Sequence, residues 1–351
     1  MTDTRRFSQS ASRARPRPRA ISNWLLWVAA LVFLMVVVGG ITRLTESGLS
    51  IAEWKPLTGA IPPLNDAQWQ AEFAHYKGTT EYQTVNRGMD LAAFKAIFFW
   101  EYLHRLIGRL IGVAFALPLI WFAAKRAIPK GYGWRLVGIL ALGGLQGAIG
   151  WWMVVSGLVG RVDVSHIRLA VHLMTALLIY SALIWTALDL KALARNARAK
   201  PARLTGVAII ALGLLACQIM FGAFTAGLRA GYAFSSWPMM GDAWFPADTP
   251  MLSPMLRNLV DNPIVVQFVH RWLAFVAAAG LAVLTMRAAK RGARTQARAV
   301  AGLLALQILL GIATLLSGVM IEIAVAHQAV AALLLGASVA TAHALGRRNA
   351  R

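Results

Sequence analysis

Four histidines recur in a pattern that could hold a flat metal complex. His104 and His270 each precede an arginine, in EYLHRLIGR (101–109) and QFVHRWLAF (267–275). His172 and His327 stand in RLAVHLMTALL (168–178) and AVAHQAVAALL (324–334). All four lie in apolar runs. A polar side chain inside a membrane is costly, and it usually faces a bundle interior or a pathway. Two imidazoles on facing helices can ligate a metal macrocycle from both sides. Haem is the candidate, since its iron takes axial histidines. No Cys-x-x-Cys-His motif occurs, so such a haem is not attached in the c-type manner. A lone intramembrane histidine is more often a helix–helix hydrogen bond; it is the repetition of two pairs that favours ligation.

Glu101 adds a second kind of chemistry. It lies three residues before His104, one helical turn away on the same face. Gln267 holds the matching place before His270. Only the first half thus carries a carboxylate beside its histidine pair. A membrane carboxyl without a fixed cation has a raised pKa and can pass protons. The competing reading is a structural ion pair with Arg105 or Arg109. The asymmetry suggests reaction in the first half and a resident cofactor in the second. Arg105 and Arg271 follow the repeated histidines, and Arg43, Arg168 and Arg229 fall at outer helix ends. They would suit haem propionates, or they snorkel to the interface. His75, His166 and His343 lack partners in the repeat; the first and last read as structural, and His166 as a solvated residue at the outer mouth.

The elements that must position these residues are membrane spans. The chain has 351 residues, 58% of them hydrophobic and 14% charged, with a mean hydropathy of +0.60. Eight apolar segments are long enough to cross ~30 Å of hydrocarbon: 22–41, 96–123, 134–157, 168–188, 204–227, 264–286, 298–319 and 323–345. The connections alternate in charge. The N-terminal tail, 124–135, 189–203, 287–298 and the C-terminal GRRNAR hold 23 of the 35 Lys and Arg. Loops 42–95, 158–167, 228–263 and 320–322 hold most of the acids. The positive-inside rule therefore puts both termini in the cytoplasm of an inner-membrane protein. The net charge of +21 reports topology, not nucleic-acid binding. Residues 1–21 read as a disordered basic tail, not a cleaved signal. The single cysteine, Cys217, excludes an internal disulfide. Residues 65–77 read as a surface helix capped by Asn65 or Asp66.

The halves repeat. LQGAIGWWMVVSGL in the third segment matches LQILLGIATLLSGV in the seventh, and VGGITRLTESGLS after the first matches FGAFTAGLRAGYAF after the fifth. Four matches in one order imply a duplicated unit whose copies share an orientation. The expected fold is all-α: eight transmembrane helices as two pseudo-symmetric four-helix bundles, 22–190 and 204–345. With a 1.5 Å rise per residue, the four histidines fall ~6–12 Å below the outer surface, in one layer.

The block GGITRLTESGLSIAEWKPLTGAIPP (39–63), the EYLHRLIGR motif and the histidine-bearing repeat resemble the heme A synthase family, in its proteobacterial and mitochondrial form. The resemblance runs from Trp24 to His343. It implies oxidation of the C8 methyl of haem O to a formyl group, through successive hydroxylations and loss of water from a gem-diol, giving haem A for cytochrome c oxidase. It implies a resident haem b between His270 and His327, substrate haem at His104 and His172, and a required acid at Glu101. Some members carry a loop cysteine pair that this chain lacks, so no loop thiol serves here. The partners implied are haem O and the lipid bilayer, with a redox partner, a haem O synthase and a second copy of the chain as candidates. Two other readings share these residues: a diheme b-type electron carrier, which gives no reason for Glu101 in one half only, and a transporter, which would be colourless.

Overall fold

The computed structural model describes residues 16–55, 58–158 and 160–347. Most of the expected disordered tail lies outside the described residues, but its last part does not: helix begins at Pro18, where a proline at the first turn forfeits no hydrogen bond.

Eight helices are long and apolar enough to cross a membrane. They are α1 (Pro18–Leu44), α4 (Leu91–Ala124), α5 (Gly133–Leu158), α6 (His166–Arg195), α7 (Gly206–Gly227), α9 (Pro263–Lys290), α10 (Arg294–Leu316) and α11 (Ile321–Gly346). Short helices α2 (Asp66–Lys77), α3 (Thr80–Thr84) and α8 (Asn258–Asp261) sit in the two long loops. No strand occurs among the described residues. At several helices a side-chain oxygen satisfies one of the free N–H groups that open the helix. Asn65 accepts from Gln68 N, Asp90 from Ala93 N, and Thr205 from Ala208 N. Asn65, rather than Asp66, is thus the cap of the loop helix.

α1 and α5 each pack against both α4 and α6. In the second half, α7 and α10 each pack against both α9 and α11. The histidine-bearing helices therefore share the same pair of neighbours in each half. The halves meet through α1, α6, α7 and α11. Lipid tails are as apolar as Leu, so close packing and hydrogen bonds hold such an interface. Ala29, Ala187, Ala208, Ala211, Ala332 and Ala342 are buried in one core cluster with Leu25, Leu183 and Leu190. Ser22 Oγ donates to Ala187 O (2.7 Å), joining α1 to α6.

α4 starts earlier than hydropathy suggests. Its added turns rise under the first outer loop, where Phe94 stacks on Phe73 (4.9 Å) and Tyr76 (5.3 Å). α2 is therefore docked on α4 rather than laid alone on the membrane. His172 and His327 are the seventh residues of α6 and α11, and His270 the eighth of α9. His104 is the fourteenth of α4. By count from the start of the helix, His104 thus stands apart from the other three.

Candidate functional site: four imidazoles seated on glycines

Each repeated histidine leans on a glycine of the preceding spanning helix. A Cβ at Gly39 (α1) would lie 2.9 Å from His104 Cε1, and one at Gly150 (α5) 2.9 Å from His172 Cε1. In the second half, Gly222 (α7) meets His270 Cε1 and Gly311 (α10) meets His327 Cε1, both at 3.0 Å. Real Cβ atoms scarcely approach that closely, so any larger residue would push the ring away. All four residues are half-buried rather than fully buried. This is a cradle that a side chain would fill, repeated at every histidine of both pairs.

Three of the rings have an amide beside them. Gln146, Gln218 and Gln307 stand four residues before the cradle glycines. Their Nε2 atoms lie 3.0, 3.1 and 3.2 Å from Nδ1 of His172, His270 and His327. Gln146 and Gln218 also donate to the backbone carbonyl of their histidine, at 2.9 and 3.0 Å. The Oε1 of all three has no partner. Met35 occupies this position beside His104, and His104 Nδ1 has no hydrogen-bond partner. Sequence reasoning passed over these glutamines as a generic patch. The recurring Gln-x-x-x-Gly spacing was the available signal.

The expectation that Glu101 lacks a fixed cation is corrected. Arg105 Nη2 donates to its Oε1 at 2.6 Å, while Ser50 Oγ and Ile51 N donate to Oε2, both at 2.8 Å. An acceptor-only carboxylate facing three donors holds the first loop onto α4. Arg105 extends the clasp to Ile51 O (2.7 Å) and Glu53 O (2.9 Å). The second half builds the same clasp with other atoms. Arg271 reaches Ser236 O (2.8 Å), Phe234 O (3.0 Å) and Gln267 Oε1 (3.3 Å), and Gln267 Nε2 donates to Phe234 O (3.1 Å). The loop offers donors to Glu101 and an acceptor to Gln267, so each residue is matched to its own half. Both guanidiniums named as propionate partners thus bind loop carbonyls.

The other outer arginines also have protein partners. Arg168 donates to Trp152 O (2.7 Å). Arg43 lies 3.7 Å from Asp163 Oδ1, and Arg229 bridges Asp163 (3.2 Å) and Glu46 (2.8 Å). His166 is buried, not solvated as expected. It opens α6 and places Nε2 3.1 Å from Asp261 Oδ1, without forming a hydrogen bond. His75 lies 3.6 Å from Glu53 at the surface. His343 pairs with buried Asp189 (3.0 Å), which Arg135 also reaches (2.7 Å). This cluster ties α5, α6 and α11 together.

A cleft of about 410 Å³ opens between the first loop and the outer part of α4, lined by Ile51, Lys55, Tyr102, Arg105 and Arg109 among others. None of the four histidines lines it. At its rim the Lys55 ammonium, 2.6 Å from Glu53, holds that carboxyl below the usual range and is itself held above its own.

Among the described residues no three His, Cys, Asp or Glu side chains gather to hold a bare metal ion. Two imidazoles suffice only for a metal that brings its other ligands, as a porphyrin iron does. The residues fit haem on that ground and on the glycine cradles. Gln328, next to His327, also links the halves: it donates to Val36 O at 2.7 Å and lies against Gly40.

Residues 22–339 match the COX15-CtaA family, described as cytochrome oxidase assembly protein. The chain is similar to the heme A synthase of Rhizorhabdus wittichii, 62% identical over 332 residues that cover 95% of this chain and 96% of the relative. It is similar to the heme A synthase of Sphingopyxis alaskensis, 53% identical over 350 residues, 100% of this chain and 99% of that one. The heme A synthase of Rhodospirillum centenum is 51% identical over 337 residues, 95% of this chain and 90% of the relative.

Proposed function

The chain belongs to the COX15-CtaA family of cytochrome oxidase assembly proteins, and from that membership and its seated histidines we infer that it is a membrane oxidoreductase converting haem O to haem A. The change is oxidation of the C8 methyl group to a formyl group by successive hydroxylations. The observation that carries the reading is the glycine-seated imidazole repeated at four places, two in each half.

The half 22–190 takes the substrate, and the half 204–345 holds a resident haem. His104 and His172 bind and orient haem O. The geometry that fixes its porphyrin fixes which methyl group faces the reaction. Glu101 stands one turn before His104 as the acid of this half, bound to Ser50, Ile51 and Arg105. On this reading it handles the protons released at the substrate edge, as the carboxylate one helical turn from His104. His270 and His327 would hold haem b, which supplies one-electron transfer when bound. Gln328 joins the His327 turn of α11 to the Gly39 turn of α1, which gives the halves a bonded route across their interface.

The site belongs on the outer side of an inner (cytoplasmic) membrane, with both termini in the cytoplasm. Two clusters of contacts support this. The acid-bearing loops meet at one end through Glu46, Asp163 and Arg229. At the other end Arg17 N donates to Ala127 O and Arg203 N to Gly346 O, which gathers the basic connections.

The test is pigment analysis. In a bacterial host that makes haem O but no haem A, the protein should yield haem A on extraction, and His104→Ala and His172→Ala should yield none. Unmodified haem alone from the wild type would return it to an electron carrier, and a colourless protein to a transporter.

A further inference from the structure

The glutamines divide the four imidazoles unequally. In Gln146–Gly150, Gln218–Gly222 and Gln307–Gly311, one helix turn supplies both the seat and a polar contact for the ring. At Met35–Gly39 the seat is present and the polar contact is not. Met35 turns its Cε towards Gly108 of α4 (3.1 Å from the place of an added Cβ), and His104 Nδ1 stays unpartnered.

The contacts give this difference a meaning. Groups packed against a ligating imidazole fix its angle. Gln146 and Gln218 each bridge the ring and the backbone carbonyl of their histidine through Nε2, and Gln307 Nε2 lies 3.2 and 3.3 Å from the two ring nitrogens of His327. No amide braces His104 in this way, and a thioether accepts hydrogen bonds only weakly.

We propose that Gln146, Gln218 and Gln307 are positioning residues for His172, His270 and His327, and that Met35 leaves His104 as the one unbuttressed ligand, the side from which haem enters and leaves. The resident haem is then held by two fixed imidazoles. The substrate haem is held by one fixed and one yielding imidazole, as turnover requires of a molecule that must depart as product. This rests on the assignment of the halves made above, but its test does not need activity.

The measurement is haem loss from purified protein to excess apomyoglobin, with the lost and retained haems separated by chromatography. The wild type should lose its O- or A-type haem faster than its b-type haem. Met35→Gln should slow the fast phase about fivefold, the worth of one net hydrogen bond. Gln307→Met should speed the slow phase by a similar factor. Gln218→Met, on the other ligand of the resident haem, serves if Gln307→Met fails to fold. Met35→Gln should also raise the low-spin fraction in the ferric spectrum, which a purely structural role would not move. An unchanged fast phase in Met35→Gln, or an unchanged slow phase in the glutamine variants, would overturn the proposal. Two loss phases that respond as described, but with b-type haem in both, would refute the substrate assignment and leave the buttress standing.

Discussion

Gly311→Ala tests the seated ring directly. Its Cβ would lie 3.0 Å from His327 Cε1, 3.6 Å from Nδ1 and 3.8 Å from Nε2. Carbon atoms settle ~3.5–4.0 Å apart, so the ring must retreat by roughly 0.5–1 Å. Gln307, 3.2 Å from Nδ1, restricts that retreat. Overpacking of this kind costs about 1–3 kcal/mol, which lowers haem affinity in this half roughly 5- to 150-fold. The control lies on the same helix. Nothing comes within 4 Å of a Cβ added at Gly302, so Gly302→Ala should keep wild-type haem. The assay is pyridine-haemochrome content per protein with reduced-minus-oxidised spectra. We expect Gly311→Ala to lose most b-type haem or to show displaced bands. Full content with unchanged bands in Gly311→Ala, or equal loss in Gly302→Ala, would refute the idea that the glycine exists to seat the ring.

Other outcomes follow from the same geometry. Glu101→Gln should retain haem and stop haem A formation, and it should loosen the first loop, since the amide N–H must face a donor, either Arg105 Nη2 or the Ser50 and Ile51 pair; unimpaired haem A would remove Glu101 from the reaction. Asp189→Asn should lower the thermal midpoint in detergent, because it weakens the charge-assisted hydrogen bonds to Arg135 and His343, each worth roughly 1.5–3 kcal/mol; an unchanged midpoint would show that the cluster holds nothing. Burial raises the Glu81 carboxyl in α3 from 4.5 to about 7. A pKa raised by folding contributes stability that is fully present below the unfolded value of 4.5 and is lost as pH climbs through about 7. Limited proteolysis of loop 42–95 should therefore speed up over that window, and Glu81→Gln should flatten the dependence while keeping its contact with Tyr76; the same slope in that variant would exclude Glu81 as the source.

The spans were legible because hydrophobic length is a local property. All eight segments recur as helices, and the Asn65 cap was visible because capping is decided within a few residues. α4 was misjudged at its outer end because Phe94 and Phe98 are covered by a loop, not by lipid, and hydropathy does not tell these apart. The histidines stood out as polar groups in apolar runs. Their seats and buttresses did not, because a glycine in one helix and a ring in another become neighbours only through packing. His166 was misread for the same reason: its partner Asp261 lies far off in sequence. Glu101 showed which half differs, but not that Ser50 and Ile51 come down to meet it.

Glu46 and Arg229 lie seven residues after the cradle glycines Gly39 and Gly222, both with φ of 52°, and they pair with each other at 2.8 Å. They occupy the same register in the two copies of the repeat. Had two identical units associated here, acid would have met acid or base would have met base. The bond can form only between halves that are unlike at this point. A chain rebuilt from two first halves, or from two second halves, would meet repulsion at this point.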